Sequence, residues 1–220
     1  MIDFAEMRRA MVDAQVRAND VTDLRIVAAM LETPREKFVP ASLKNFAYID
    51  DDLLVKPGTP ARYLMEPMVL ARLLQAAAVA PDALVLDVGA ATGYSTAVLA
   101  RLAGQVVALE EDAELAGQGT RILEELGLLN AAYVQGPMNA GWAGEAPYDV
   151  ILLNGSVDEV PPALLSQLKP EGRLVCVVGR GRSGRASIYT NTTGGIGSRI
   201  AFDAAVPVLP GFEARPGFVF

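Results

Sequence analysis

The chain has no histidine and a single cysteine in 220 residues. Without imidazole, histidine-based triads, histidine metal sites and imidazole proton shuttles are all excluded, and no other residue pattern asks for a metal. One thiol cannot form an intramolecular disulfide. Cys176 lies within Leu174-Val175-Cys176-Val177-Val178, so it is expected to be buried, which suits a reducing, cytoplasmic setting. Positive charge is also scarce: 19 Lys and Arg against 26 Asp and Glu leave a net charge of -7, with no basic run as a local exception. Neither nucleic acid nor an anionic membrane surface is therefore expected as a partner. The most apolar stretch, around Leu73 to Ala91, is broken by Pro81-Asp82 and Gly89 and reads as helix, turn and strand rather than a membrane span. Met1 to Arg9 mixes acids and bases and lacks the basic-then-apolar order of a secretion signal.

What is present points to a packed protein. Hydrophobic residues make up 51% and charged residues 20%, spread along the chain, and the length suits one domain, with residues 1–66 as a helical and loop extension and 67–220 as an α/β core. Phe4, Met7, Met11 and Ala14 share a helical face, and Val21 to Met30 repeats the pattern after a break at Asn19-Asp20. Residues 33–67 are punctuated by Pro34, Pro40, Pro57 and Pro60 and read as loop lying over the core. From Pro67 helix and strand alternate: helices near 67–79, 94–102, 112–126 and 161–168, and strands near 84–88, 105–110, 131–135, 148–153 and 173–178. The strands Val85 to Val88, Val106 to Leu109 and Val150 to Leu153 are apolar on both faces, as a helix-covered sheet requires. Strand-like runs at 187–191 and 198–208, separated by Gly194, Gly195 and Gly197, complete the expected fold. That fold is α/β: a doubly wound, mostly parallel seven-stranded sheet with an antiparallel C-terminal hairpin at one edge.

The chemistry concentrates where Leu84-Val85-Leu86-Asp87-Val88 runs into Gly89-Ala90-Ala91-Thr92-Gly93 and a helix beginning at Tyr94. A glycine-rich turn between strand and helix brings backbone amides up to a nucleotide-like ligand. The dinucleotide fingerprint wants glycine where Ala91 stands and a small residue where Tyr94 stands, so a nicotinamide cofactor is disfavoured. The spacing Asp87-x-Gly89-x-x-x-Gly93 instead resembles the first motif of class I S-adenosylmethionine-dependent methyltransferases. That resemblance implies that Asp87, Gly89, Ala90 and Gly93 hold the amino-acid part of S-adenosyl-L-methionine. Glu110 ends the next strand, where a carboxylate can accept two hydrogen bonds from a ribose diol, and an open cleft is expected above Gly89. Glu111 and Asp112 read as acids at a helix N-terminus.

Beyond this loop, Arg9-Ala10-Met11-Val12-Asp13-Ala14-Gln15-Val16, Pro34-Arg35-Glu36-Lys37-Phe38-Val39-Pro40, Ala47-Tyr48 and Gln167 to Val175 resemble protein-L-isoaspartate O-methyltransferases over nearly the whole chain. The resemblance implies methyl transfer to the free carboxylate of L-isoaspartyl residues in damaged proteins, so the expected partner is a protein or peptide bearing a free carboxylate. It also implies that Gly136 and Met138 lie on the adenine side and that Leu64, Met65 and Glu66 lie on the substrate side, while Asn154, just beyond the strand near 148–153, faces the cleft in this architecture as a candidate substrate-side or cofactor contact. Two positions differ from the family pattern: Met65 stands where the family has a serine, and Gly136-Pro137-Met138 replaces Gly-Asp-Gly, with Pro137 offering neither carboxylate nor backbone donor. They leave a second reading open, a divergent relative that binds the cofactor but turns over weakly or not at all, with another acceptor or partner. Asn139 is an alternative contact for the adenine amino group. Trp142 and Tyr148 read as structural aromatics and Arg180 to Arg185 as a solvated turn.

Overall fold

The computed structural model describes residues 2–214. Helix α1 (Phe4–Met11) starts where the Asp3 carboxylate accepts from the Ala5 and Glu6 amides, and it runs on through a wider turn at Val12–Val16. Asp20, with a φ of 63°, ends this segment at the break read from the sequence. Asp23 then caps α2 (Leu24–Glu32).

Two short strands, β1 (Leu53–Lys56) and β2 (Arg62–Leu64), form an antiparallel hairpin inside the segment expected to be loop. Helix α3 (Pro67–Ala77) follows, with proline at its start, where a missing N–H costs nothing. Its N-terminal amides are capped from a distance: Asp52 accepts from the Glu66 amide at 3.0 Å and Asp50 from the Met68 amide at 3.3 Å. The acidic run 50–52 is thereby largely committed to structure.

The core alternates as expected: β3 (Leu84–Val88), α4 (Tyr94–Leu99), β4 (Gln105–Glu110), α5 (Ala113–Glu125), β5 (Ala131–Gln135), β6 (Tyr148–Val157), α6 (Pro162–Leu165), β7 (Leu168–Val178), β8 (Arg185–Thr192) and β9 (Gly195–Asp203). The seven-stranded sheet has the order β5-β4-β3-β6-β7-β8-β9, parallel from β5 through β7 and antiparallel from β7 to β9. Chain order reverses around β3, which opens a crevice at the C-terminal ends of β3, β4 and β6, the usual ligand position in such sheets.

Several boundaries differ from the sequence reading. The helix expected over 161–168 closes after Leu165, and Leu168 to Gly172, expected as the helix end and the link to the next strand, already belongs to β7. Strand β6 continues past Leu153 to Val157, because Ser156 and Val157 pair with Val177 and Val178 of β7, and Ser156 also bridges Val208 of a returning segment. That segment, residues 204–212, leaves β9 at Asp203 instead of extending it to 208.

Alternation along each strand sorts the core into two faces. Val85, Val106, Val150, Leu152, Val175 and Val177 pack under α2 to α5, whereas Leu86, Val88, Leu109, Ile151, Leu153, Leu174 and Cys176 face the other way. Helices were expected over both faces. The second is covered mainly by loop residues Met138 and Trp142, the short α6, and Leu209 and Phe212 of the returning segment. Among the described residues no helix is long and apolar enough to cross a membrane.

The N-terminal segment braces the core through Arg35, which is fully buried. Its Nε donates to the Ala47 carbonyl and its Nη2 to the Met65 carbonyl, both at 2.8 Å, and its guanidinium lies 4.6 Å from the Tyr94 ring centre. Phe38 meets the same ring edge-on, and Thr92 donates to the Phe38 carbonyl at 2.6 Å. The Pro34–Pro40 segment thus holds both the start of α4 and the turn before it.

Tyr133 of β5 sets the spacing on the far side of that turn. Its hydroxyl donates to the Ala91 carbonyl at 3.0 Å, and its ring fills the space beside Gly119 of α5. A methyl group on Gly119 would lie 2.1 Å from the Tyr133 oxygen. Gly119→Ala is expected to lower stability by about 1–3 kcal/mol through overpacking. In a Tyr133→Ala background most of that loss should vanish, a coupling measurable by urea titration of the four proteins.

Candidate functional site

Asp87, at the end of β3, is fully buried, and each of its carboxylate oxygens is used. Ser95 and Thr96 from the first turn of α4 donate to Oδ2 at 2.8 and 2.6 Å, and the Asn154 side-chain amide from β6 donates to Oδ1. Burial pushes the carboxyl up to about 6, against the pull of the three donors, and neighbouring Glu110 adds to the rise. Asn154, expected on the substrate side, is thus engaged with Asp87 and lies within β6 rather than beyond it.

The turn itself is bent by residues in the left-handed region: Gly89 at φ 72°, Ala91 at 49° and Gly93 at 96°. At Gly93 a side chain would also strike the Tyr133 hydroxyl, 2.6 Å from where its first carbon would stand. Two of the turn amides, Gly89 and Ala90, donate to the Leu109 carbonyl at 2.8 and 3.3 Å, and Ala91 donates to Oε2 of Glu110 at 2.8 Å.

Glu110 lies at the end of β4 with no exposed surface. The Arg62 guanidinium grips both of its oxygens, with Nη1 on Oε1 and Nη2 on Oε2 at 2.8 Å. Nη2 also donates to the Gly89 carbonyl at 3.1 Å, and the Asp112 amide donates to Oε1 at 3.0 Å. Leu209 of the returning segment sits over Gly89, where an added methyl group would come within 2.6 Å of it. The cleft expected above Gly89 is therefore filled, by a side chain 27 residues upstream and by one near the chain's end. A gap of about 10 Å³ remains between Arg62, Met65, Asn154 and Leu209, about the size of one water molecule. Outside Arg62 lies a chamber of about 620 Å³, lined by residues 56–60, Glu111, Asp112, Met138 and Gly211.

The remaining expected residues fall around this centre. Met138 is buried in the second face and also borders the outer chamber. Gly136 lies against Trp142, its amide donating to the Glu110 carbonyl at 3.3 Å. Asn139 donates to the Gly211 carbonyl. Leu64 is buried in β2 opposite Leu53, and Met65 is buried at the edge of the small gap. Glu66 precedes α3, its carboxyl pushed up to about 7 by burial and by Asp52, Asp50 and Asp51, while Asp52 itself rises to about 6. Asp112 is the cap of α5, accepting from the Glu114 and Leu115 amides, and Lys56 bridges it and Glu114 at 2.6 and 2.9 Å. Tyr148 is buried and donates to the Trp142 carbonyl; Arg180 pairs with Asp158 in an exposed loop. Arg62, Leu209, Ser95 and Thr96 were not among the site residues expected from the sequence. Arg62 carried a faint signal, a cation directly before the run Tyr63-Leu64-Met65, whereas Leu209 carried none.

The family model for protein-L-isoaspartate(D-aspartate) O-methyltransferase matches residues 6–201. This chain belongs to that family. A protein-L-isoaspartate O-methyltransferase of Koribacter versatilis is 42% identical over 176 residues, covering 80% of this chain and 78% of the relative. A solved protein-L-isoaspartate O-methyltransferase superposes with a TM-score of 0.79 at 26% identity, over 93% of this chain and 66% of that one. A Plasmodium falciparum protein solved with S-adenosyl-L-homocysteine superposes with a TM-score of 0.77 at 20% identity, over 92% of this chain and 97% of its own; at that identity the likeness concerns the fold.

Enzymes of this family use S-adenosylmethionine, and the crevice of this member does not fit an adenosyl group in the conformation described. Both Glu110 oxygens already receive two donors each, leaving no acceptor for a ribose diol, and Leu209 occupies the approach to Gly89.

The raised carboxyls fix a pH dependence. Asp52, Glu66 and Asp87 all hold protons more tightly folded than unfolded, so folding is favoured increasingly as pH falls from about 7 toward about 4. Below that range the gain stops, and Asp112 and Asp149, held below the usual carboxylate range in the native state, begin to lose their contribution. Scanning calorimetry is expected to give a midpoint roughly 3–8 °C higher near pH 5.5 than near pH 8. A midpoint that rises steadily from about pH 5.5 to about pH 8 would contradict these assignments.

Proposed function

We propose that this protein is an S-adenosylmethionine-dependent methyltransferase that esterifies the free carboxylate of L-isoaspartyl residues in proteins or peptides. The observation carrying this reading is the family match across residues 6–201. The lone, fully buried thiol supports a reducing, cytoplasmic location. On the cofactor side we assign Asp87, Gly89, Ala90, Gly93 and Glu110 at the strand ends, with Gly136 and Met138 toward the adenine. On the substrate side we assign Met65 and Glu66, with Leu64 and Asn154 as their supports.

The acceptor suits a chain without histidine. A carboxylate ionises at about pH 4, so at neutral pH the nucleophile needs no base. What it needs is position and loss of water, and buried Met65 supplies an apolar wall beside the crevice. Met65 has no hydroxyl to give the acceptor a hydrogen bond, an interaction with a charged group worth about 1.5–3 kcal/mol. Glu66 adds a charge of the same sign as the acceptor and loses it as pH falls through about 7.

Incubation with methyl-labelled S-adenosylmethionine should give a base-labile methyl ester on an isoaspartyl peptide and none on its aspartyl isomer; absence of ester at high enzyme concentration refutes the assignment. In the same assay kcat/KM of the parent should rise as pH falls from about 8 to about 6. Glu66→Gln should raise kcat/KM near pH 8 about fivefold, the equivalent of about 1 kcal/mol of relieved repulsion, and flatten that profile.

A further inference from the structure

Arg62 is the partition of the crevice. It borders both the gap of about 10 Å³ on the inner side and the chamber of about 620 Å³ on the outer side. Its guanidinium makes with Glu110 the two-pronged contact that a ribose diol would make, and its third donor contact caps the Gly89 carbonyl. Two further ties hold the wall in place. Lys56, at the other end of the β1–β2 loop, is bound to Asp112 and Glu114 on α5. Leu209 is fixed over Gly89 by reciprocal backbone bonds, Leu209 N–H to the Ser156 carbonyl and Ser156 N–H to the Pro207 carbonyl, both at 2.8 Å.

We propose that Arg62 is a latch that closes the crevice by occupying the ribose position on Glu110, with Leu209 as its second bolt. The identity of the excluded ligand, an adenosyl compound, rests on the function proposed above. Glu110 is buried and needs a donor partner at all times, so the guanidinium and a ribose diol are alternatives on the same two oxygens. The outer chamber gives the displaced guanidinium somewhere to go, because Glu111 and Asp112 line it beside Arg62. Apparent affinity for the ligand is then the intrinsic affinity reduced by the fraction of molecules with the latch open.

The full chain, Arg62→Gln and Leu209→Ala are compared by titration calorimetry with S-adenosyl-L-homocysteine, alongside thermal unfolding without ligand. Arg62→Gln should melt at a lower temperature than the parent yet bind at least about tenfold more tightly, and Leu209→Ala should also bind more tightly. An arginine with a merely structural role would lower the melting temperature with no gain in affinity, and that result overturns the latch. Should Arg62→Gln fail to fold, Leu209→Ala decides: no gain in affinity there overturns it equally. Parent binding as tight as that of both variants removes the latch and leaves the methyltransferase reading standing, whereas no binding by any of the three removes both.

Discussion

Two carboxylates stand fully buried at neighbouring strand ends, Asp87 held by neutral donors and Glu110 by the Arg62 cation. Burying an ion costs several kcal/mol unless hydrogen bonds and an opposite charge replace its water, so the surroundings of Asp87 and Glu110 are constrained far more tightly than the rest of the sheet. Asp87 is surrounded by the hydroxyls of Ser95 and Thr96 and the amide of Asn154, which ties β3 to α4 on one side and to β6 on the other. Glu110 takes Arg62 from the β1–β2 hairpin and the amides of Ala91 and Asp112. The left-handed turn, the N-terminus of α5 and the hairpin are thus aligned by a single side chain. That explains how a turn with alanine at a φ of 49° keeps its shape.

Around this pair the family's fold has been closed differently on its two faces. One is covered by helices in the ordinary way. On the other, α6 is a single turn, and a chain segment returning after β9 supplies Leu209 and Phe212 to the core. Since Leu209 also lies over Gly89, the packing of that face and the shape of the crevice are not independent. A change in the returning segment reaches the strand ends without crossing the sheet.

The strand, turn and helix from Leu84 to Leu99 were readable because every signal in them is local: a short continuous apolar run, an acid at the strand end, glycines where the chain must bend. Glu110 and the Asp112 cap were readable for the same reason. Strands β1 and β2 were not, being four and three residues long and set among prolines. The extension of β6 was hidden because Asn154-Gly155-Ser156 breaks the apolar run and its partners Val177, Val178 and Val208 lie far along the chain. The partners of Glu110 were out of reach for a related reason. Arg62 lies 48 residues away, and pairing across such a distance is decided by how the hairpin folds over the sheet, not by any spacing in the sequence. An acid at a strand end marks a place where something positive or hydrogen-bonding must come; it does not say whether a ligand or the chain itself supplies it.

Cys176 sits near the C-terminal end of β7 with no exposed surface, in a strand whose neighbours run parallel on one side and antiparallel on the other. Burial holds the thiol well above its ordinary ionisation range, so the folded protein offers an alkylating reagent neither access nor a thiolate. No second cysteine competes for the reagent. The rate at which this sulfur becomes modified is therefore a clock for the opening of the central sheet, built into the native chain and needing no added label.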